Sequence, residues 1–222
     1  MHKKTVIRGL WWKLLSLLLL LYAVIYGFLV PVPDTMIGGT IRNLFFHVGM
    51  WFGMSAMLVT SFIYSIRYLR GFKEQEDTVA VEAANVGIYL GILGLITGMI
   101  WAKSTWGAYW VRDPKLDGVA VGMFIYLAYM VLRGSIHDIH KRAKVSAVFN
   151  IFAFILWIVF VMILPRMTGS TIHPGQDGAP VMALHLSGPA RTVFYPAMLG
   201  WILLGFWILN LRIRIKRLGI RD

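Results

Sequence analysis

Three tryptophans and a tyrosine fall within ten residues of the stretch Trp101-Ala102-Lys103-Ser104-Thr105-Trp106-Gly107-Ala108-Tyr109-Trp110-Val111-Arg112-Asp113-Pro114-Lys115-Leu116. Trp and Tyr favour the membrane–water interface, so the plain reading is an interfacial belt. A belt is usually spread over many helix ends, whereas these rings share one stretch with Gly107, which permits tight backbone approach. Lys103, Arg112 and Lys115 are interleaved with them. Flat apolar rings among cations suit a flat, apolar, anionic ligand. Haem fits that description, with its macrocycle against aromatic faces and its propionates on Arg or Lys. It ranks ahead of a quinone or a lipid pocket.

Haem iron needs axial ligands, and neutral imidazole is a usual one. The chain has six histidines. His47 lies about one helical turn inside an apolar run, in Arg42-Asn43-Leu44-Phe45-Phe46-His47, with Trp51 and Phe52 following. An ionisable side chain within a spanning segment is a functional candidate, against the alternative of an interfacial histidine bonded to a neighbouring helix. His173 and His185 lie in a Gly- and Pro-rich stretch, where an isolated histidine is unremarkable taken singly. His137 and His140 have i,i+3 spacing, but no third ligand is near and a solvated basic loop explains them. His2 sits among basic residues at the start of the chain.

The elements that must position these residues are apolar. Of 222 residues, 58% are hydrophobic and 14% charged, and the mean hydropathy is +0.69. A soluble domain carries about a quarter charged residues. This composition excludes a soluble enzyme, a disordered chain and a nucleic-acid-binding module. With no cysteine, disulfides, thiolate metal sites and thioether attachment of haem to this chain are excluded too.

Six apolar stretches are expected to be spanning helices: Trp11–Val30, Leu44–Ile66, Val79–Trp101, Gly118–Ile136, Ala147–Leu164 and Val193–Leu211. Each approaches the roughly 20 residues that cross a bilayer core. The first is too long for a signal-peptide core and lacks a small-residue cleavage site, so it counts as a helix. Arg133 falls inside the fourth and is expected to snorkel from near its end. The fold class is therefore an all-α integral membrane protein with six transmembrane helices, a single domain over residues 1–222.

The net charge of +12 is a matter of topology. Sixteen Lys and Arg residues fall on one side, in the N-terminal stretch to Lys13, around Arg67–Lys73, around Arg133–Lys144 and from Arg212 onward. Only Arg42, Lys103, Arg112, Lys115, Arg166 and Arg191, six in all, fall on the other. The positive-inside rule then puts both termini in the cytoplasm, and the basic side meets lipid headgroups rather than nucleic acid. The three outer loops are Pro31–Asn43, Ala102–Asp117 and Pro165–Thr192, and any chemistry belongs there.

The string WAKSTWGAYWVRDPKL resembles the tryptophan-rich signature of the cytochrome c assembly family of haem-handling proteins. In length and helix count the chain is similar to that family's six-helix member, from about Arg42 through the sixth helix. Within the signature Trp101, Lys103, Trp106, Gly107, Trp110 and Asp113 match, with Lys115 at a basic position. The family's first axial histidine follows an arginine by five positions, as His47 follows Arg42. The second lies in a Thr-Leu-His or Ser-Leu-His turn, which Thr171-Ile172-His173-Pro174-Gly175 matches, leaving His185 the weaker candidate. Where the family usually has a further tryptophan before the aspartate, this chain has Arg112, implying a polar or propionate contact.

The resemblance implies haem b, held without a covalent bond on the periplasmic side of the inner membrane by His47, His173 and the aromatic stretch that includes Tyr109. It implies delivery to a periplasmic haem chaperone, with an ABC-type (ATP-binding cassette) ATPase, that ATPase's membrane subunit and a small single-span subunit as partners in the bilayer. No nucleotide-binding motif occurs here, so ATP would be used by another chain, and no catalytic acid or base stands out. Two rivals are a cytochrome c synthase component, which usually needs more helices and a further histidine pair, and a haem b electron-transfer subunit. The latter usually holds its haem between helices, not on a loop.

Overall fold

The six apolar stretches are helices in the computed structural model, which describes residues 9–31, 38–169, 171–173, 186 and 188–219. In chain order they are α1 (Trp11–Leu29), α2 (Leu44–Gly71), α3 (Glu74–Trp106), α4 (Pro114–Ser135), α5 (Ile139–Ile158), α6 (Leu164–Met167) and α7 (Gly188–Arg217). A 3-10 turn, Gly38–Asn43, leads into α2, and a π turn, Val159–Ile163, joins α5 to the short α6. Among the described residues, six helical segments are long and apolar enough to cross a membrane. No strand occurs among the described residues.

Most of these helices outrun the apolar cores that announce them. At about 1.5 Å per residue α3 is roughly 50 Å long, beyond the ~30 Å of hydrocarbon. It begins on Glu74, Glu76 and Asp77, and α7 ends on Arg214, Lys216 and Arg217. Acid at a helix start and base at a helix end complement the helix dipole, so the helices continue into the headgroup zone. The π turn has a local cause. The ring of Pro165 cannot donate and crowds the carbonyl four residues back, and widening the preceding turn relieves the clash.

The chain divides into two compact units: Met1–Ala56 with Tyr89–Tyr109 and Leu186–Asp222, and Met57–Ile88 with Trp110–His185. In the first, α1 packs on α7, where the Ser16 hydroxyl donates to the Gly200 carbonyl at 3.1 Å. Trp201 of α7 lies against Gly49 and Gly53 of α2, where a Cβ at Gly49 would overlap its indole. Small residues that let helices approach are the usual association device in lipid. Leu14, Leu18, Leu21 and Ile25 of α1 are exposed, an apolar surface suited to acyl chains.

The second unit is held by buried polar groups. Asn150 is fully buried and donates to the hydroxyls of Ser61 at 2.7 Å and Ser65 at 2.8 Å. Ser61 in turn donates to the Ala80 carbonyl at 2.6 Å. Arg133 does not snorkel. Its guanidinium donates two hydrogen bonds to the Asp77 carboxylate, at 2.9 and 2.6 Å, with both side chains 14% exposed. A paired carboxylate in the same unit neutralises the cation, so the side chain has no need to reach for water. Where α4 meets the π turn, Gly118 faces the Phe160 carbonyl so closely that a Cβ would collide with it.

Candidate functional site

His47 is the fourth residue of α2 and is 6% exposed. Its Nδ1 lies 2.9 Å from the Gly94 carbonyl and 3.2 Å from the Thr97 hydroxyl. The indole Nε1–H of Trp51, one turn along α2, donates to its Nε2 at 3.3 Å. An indole N–H can only donate. Nε2 is therefore the lone-pair nitrogen, and Nδ1 carries the proton that Gly94 accepts. This is how metal-binding histidines are usually oriented, the far nitrogen anchored and the near one left with a lone pair.

The space for this imidazole is made by α3. A Cβ at Gly98 would sit 2.6 Å from His47 Cε1, and one at Gly94 would sit 2.8 Å from the Trp51 ring. Gly94, Gly98 and Trp101 recur at helical spacing on one side of α3. Trp101 is buried, with its ring centroid 6.1 Å from that of His47, and its Nε1–H donates to Thr40 at 3.1 Å. Trp106 follows with its ring 6.2 Å from Trp101. Asn43 ties the entry of α2 to α3 by donating to the Thr97 carbonyl at 3.1 Å.

The tryptophan-rich stretch is only partly a loop. Trp101 and Trp106 belong to α3, and α4 starts at Pro114, which leaves residues 107–113 between helices. Gly107 has φ +80 and closes α3 with the left-handed residue that helix ends favour. Lys103 donates to the Gly107 carbonyl at 2.8 Å and lies 5.7 Å from the centre of the Tyr109 ring. Arg42 donates to the carbonyls of Gly27 and Phe28, both at 2.6 Å, closing the end of α1. The rings thus pass from buried Trp101 through half-buried Trp106 to exposed Tyr109.

In the second unit Trp110 is exposed, and its Nε1–H donates to Asp117 at 3.1 Å. Arg112 is exposed and Lys115 half-buried. Asp113 is 2% exposed. Its Oδ1 caps α4 by accepting the backbone N–H of Lys115 at 2.9 Å and of Leu116 at 3.4 Å. Its Oδ2 accepts the Thr171 hydroxyl and the Ile172 N–H, both at 2.8 Å. Burial pushes this carboxyl upward, but the hydrogen bonds from Thr171 and from the N–H groups of Ile172, Lys115 and Leu116 outweigh it and hold the carboxyl below its ordinary value. The His173 N–H donates to the Thr171 hydroxyl at 3.2 Å.

His47, Trp101, Trp106, Lys103 and Tyr109 thus belong to one unit, and Trp110, Arg112, Asp113, Lys115 and His173 to the other. His2, His185, Pro174 and Gly175 lie outside the described residues. Trp51, Gly94, Thr97, Gly98 and Thr40 have no place in the expected site, yet they orient His47 and Trp101. The available signal was Gly94-x-x-x-Gly98 at the spacing of close helix approach, with Trp51 one turn after His47.

A profile of the heme exporter protein C family matches residues 3–219. The chain belongs to that family. A heme exporter protein C of Haemophilus influenzae is 26% identical over 216 residues, covering 92% of this chain and 82% of the relative. One from Paracoccus denitrificans is 27% identical over 200 residues, covering 86% and 79%. A cytochrome c biogenesis protein CcsA from Pelargonium hortorum is 30% identical over 105 residues, 47% of this chain and 32% of the relative. With six helices able to cross a bilayer, this heme exporter protein C family member is a multi-pass membrane protein.

Proposed function

We propose that this chain binds haem b non-covalently at the periplasmic face of the inner membrane and delivers it to a periplasmic haem chaperone for c-type cytochrome biogenesis. The observation that carries the reading is the state of His47. Its Nδ1–H is anchored on a backbone carbonyl, its Nε2 lone pair accepts the Trp51 indole N–H, and indole rings flank it. Neutral imidazole of this tautomer is a haem ligand. Family membership and the names of the relatives support the same role.

In this reading His47 and His173 are the axial ligands, with His185 the weaker candidate for the second. Trp101, Trp106, Tyr109 and Trp110 lie against the macrocycle, and Lys103, Arg112 and Lys115 meet its propionates. Arg42 acts by fixing the entry to α2. The chain holds and transfers, and hydrolysis of ATP falls to a cassette ATPase working with its own membrane subunit and a small single-span subunit. Both termini are cytoplasmic, on the strength of the sixteen-to-six basic asymmetry.

The test is an absorption spectrum of the detergent-purified protein, alone and with its partners, for the wild type and four variants. His47→Ala and His173→Ala each lower haem retention or change the spectrum, while His137→Ala and His140→Ala do neither. Haem that resists release to the chaperone would favour an electron-transfer subunit instead.

A further inference from the structure

Asp113 matches a position of the tryptophan-rich signature, yet its carboxylate has nothing left to offer a ligand. A carboxylate accepts about four hydrogen bonds. Oδ1 takes the N–H groups of Lys115 and Leu116, Oδ2 takes the Ile172 N–H, and the Thr171 hydroxyl lies within reach of both oxygens. The group is 2% exposed. A negative charge beside a propionate would also repel it. What Asp113 does touch is Thr171 and Ile172, the two residues before His173.

The tether is short. Thr171 donates its hydroxyl proton to Asp113 and accepts the His173 N–H on the same oxygen, so the carboxylate is one side chain removed from the histidine backbone. A second anchor lies further back, where Gly118 in the second turn of α4 presses on the Phe160 carbonyl in the π turn. The start of α4 thus grips the chain before His173 at two places. The local sequence explains why: Asp before Pro is a favoured helix start, with Asp as cap and Pro at the first helical position.

We infer that Asp113 is a positioning residue that aligns His173 through Thr171 and Ile172, and does not itself contact haem. The inference rests on His173 being an axial ligand. Aligning the ligand from the tryptophan-rich stretch couples the two parts of the chain that must engage haem together. A carboxylate with four charge-assisted hydrogen bonds does this with little freedom of movement.

Asp113→Asn separates the two roles of the carboxylate. Asn caps helices as well as Asp does, so the start of α4 survives. Its amide N–H₂, however, meets the Ile172 N–H donor to donor, so the Ile172 arm of the tether is lost and only the Thr171 hydroxyl, 3.0 Å from Oδ1, is left to hold it. Thr171→Ala breaks the tether from the other side, and Thr171→Ser restores it. Two readouts follow. In protein without haem, exchange of the Ile172 amide proton quickens about tenfold or more in Asp113→Asn, that of the His173 amide, whose acceptor is the Thr171 hydroxyl, quickens likewise in Thr171→Ala, and both stay at the wild-type rate in Thr171→Ser. With haem added, the spectra of the first two variants move to that of His173→Ala, and free imidazole restores all three.

Wild-type exchange at Ile172 in Asp113→Asn would overturn the tether. A spectrum unlike that of His173→Ala, unchanged by imidazole, would make Asp113 a direct haem contact and overturn the inference. A wild-type protein that takes up no haem sinks the haem reading, and the exchange measurement still decides the tether.

Discussion

The Nε2 of His47 accepts the indole N–H of Trp51 at 3.3 Å, and Nε2 is the nitrogen proposed to bind iron. Indole and iron therefore compete for one lone pair. A neutral hydrogen bond is worth about 0.5–1.5 kcal/mol net. Trp51→Phe keeps an aromatic ring and removes the competitor, so haem affinity should rise about two- to tenfold and release should slow, as read by haem titration and transfer kinetics. Weaker binding would show that Trp51 acts as a wall of the pocket.

Gly98→Ala places a Cβ 2.6 Å from Cε1 of His47. The imidazole must shift away from its anchor on Gly94, or the helix must move. Overpacking of this kind costs about 1–3 kcal/mol. A lower melting temperature together with an altered haem spectrum is the expected outcome, whereas Gly134→Ala, with open space around it, should leave both unchanged.

The hydrogen-bonded carboxylate of Asp113 makes stability depend on pH in acid. Its folded value is lowered, so its contribution is fully present above the ordinary carboxylate value of about 3.9 and is lost as pH falls through the lower folded value. Between pH 5 and 8 it should not vary. Melts of the wild type and Asp113→Asn recorded down the acid range should differ by an amount that shrinks only below about pH 4.

Arg133 and Asp77 are mutually dependent. Removing one partner of a buried pair leaves an uncompensated charge, at about 3–5 kcal/mol when burial is complete, and somewhat less here with 14% exposure on each side. Arg133→Met should therefore lower the melting temperature in detergent clearly. Adding Asp77→Leu to it should recover much of the loss, and the double variant measures the coupling.

The six helices were legible because hydrocarbon selects for long apolar runs, which need only local sequence to see. Their ends were not, because Glu74 to Asp77 and Arg212 to Arg217 look polar while still extending the helical ladder. The pairing of Arg133 is hidden for a related reason: its partner Asp77 is 56 residues away, and pairing at that range leaves no local mark. His47 stood out as an ionisable residue in an apolar run. The groups that orient it did not, since a role for Gly94, Gly98 and Thr97 depends on which helix faces which. The signature marked Asp113 as important but not how, because a helix cap and a ligand contact demand the same residue.

The handover is the centre of the account, and Trp106 and Trp110 are its most exposed test. Ring contacts with haem are worth on the order of 0.5–1.5 kcal/mol each beyond burial, so losing one ring should loosen haem without abolishing ligation. Haem content and loading of the periplasmic chaperone are to be measured side by side for the wild type, Trp106→Ala and Trp110→Ala. Loading should fall further than haem content in both variants, with the membrane fold intact. Normal chaperone loading by both variants would reduce the aromatic stretch to an interfacial belt and contradict the proposed transfer.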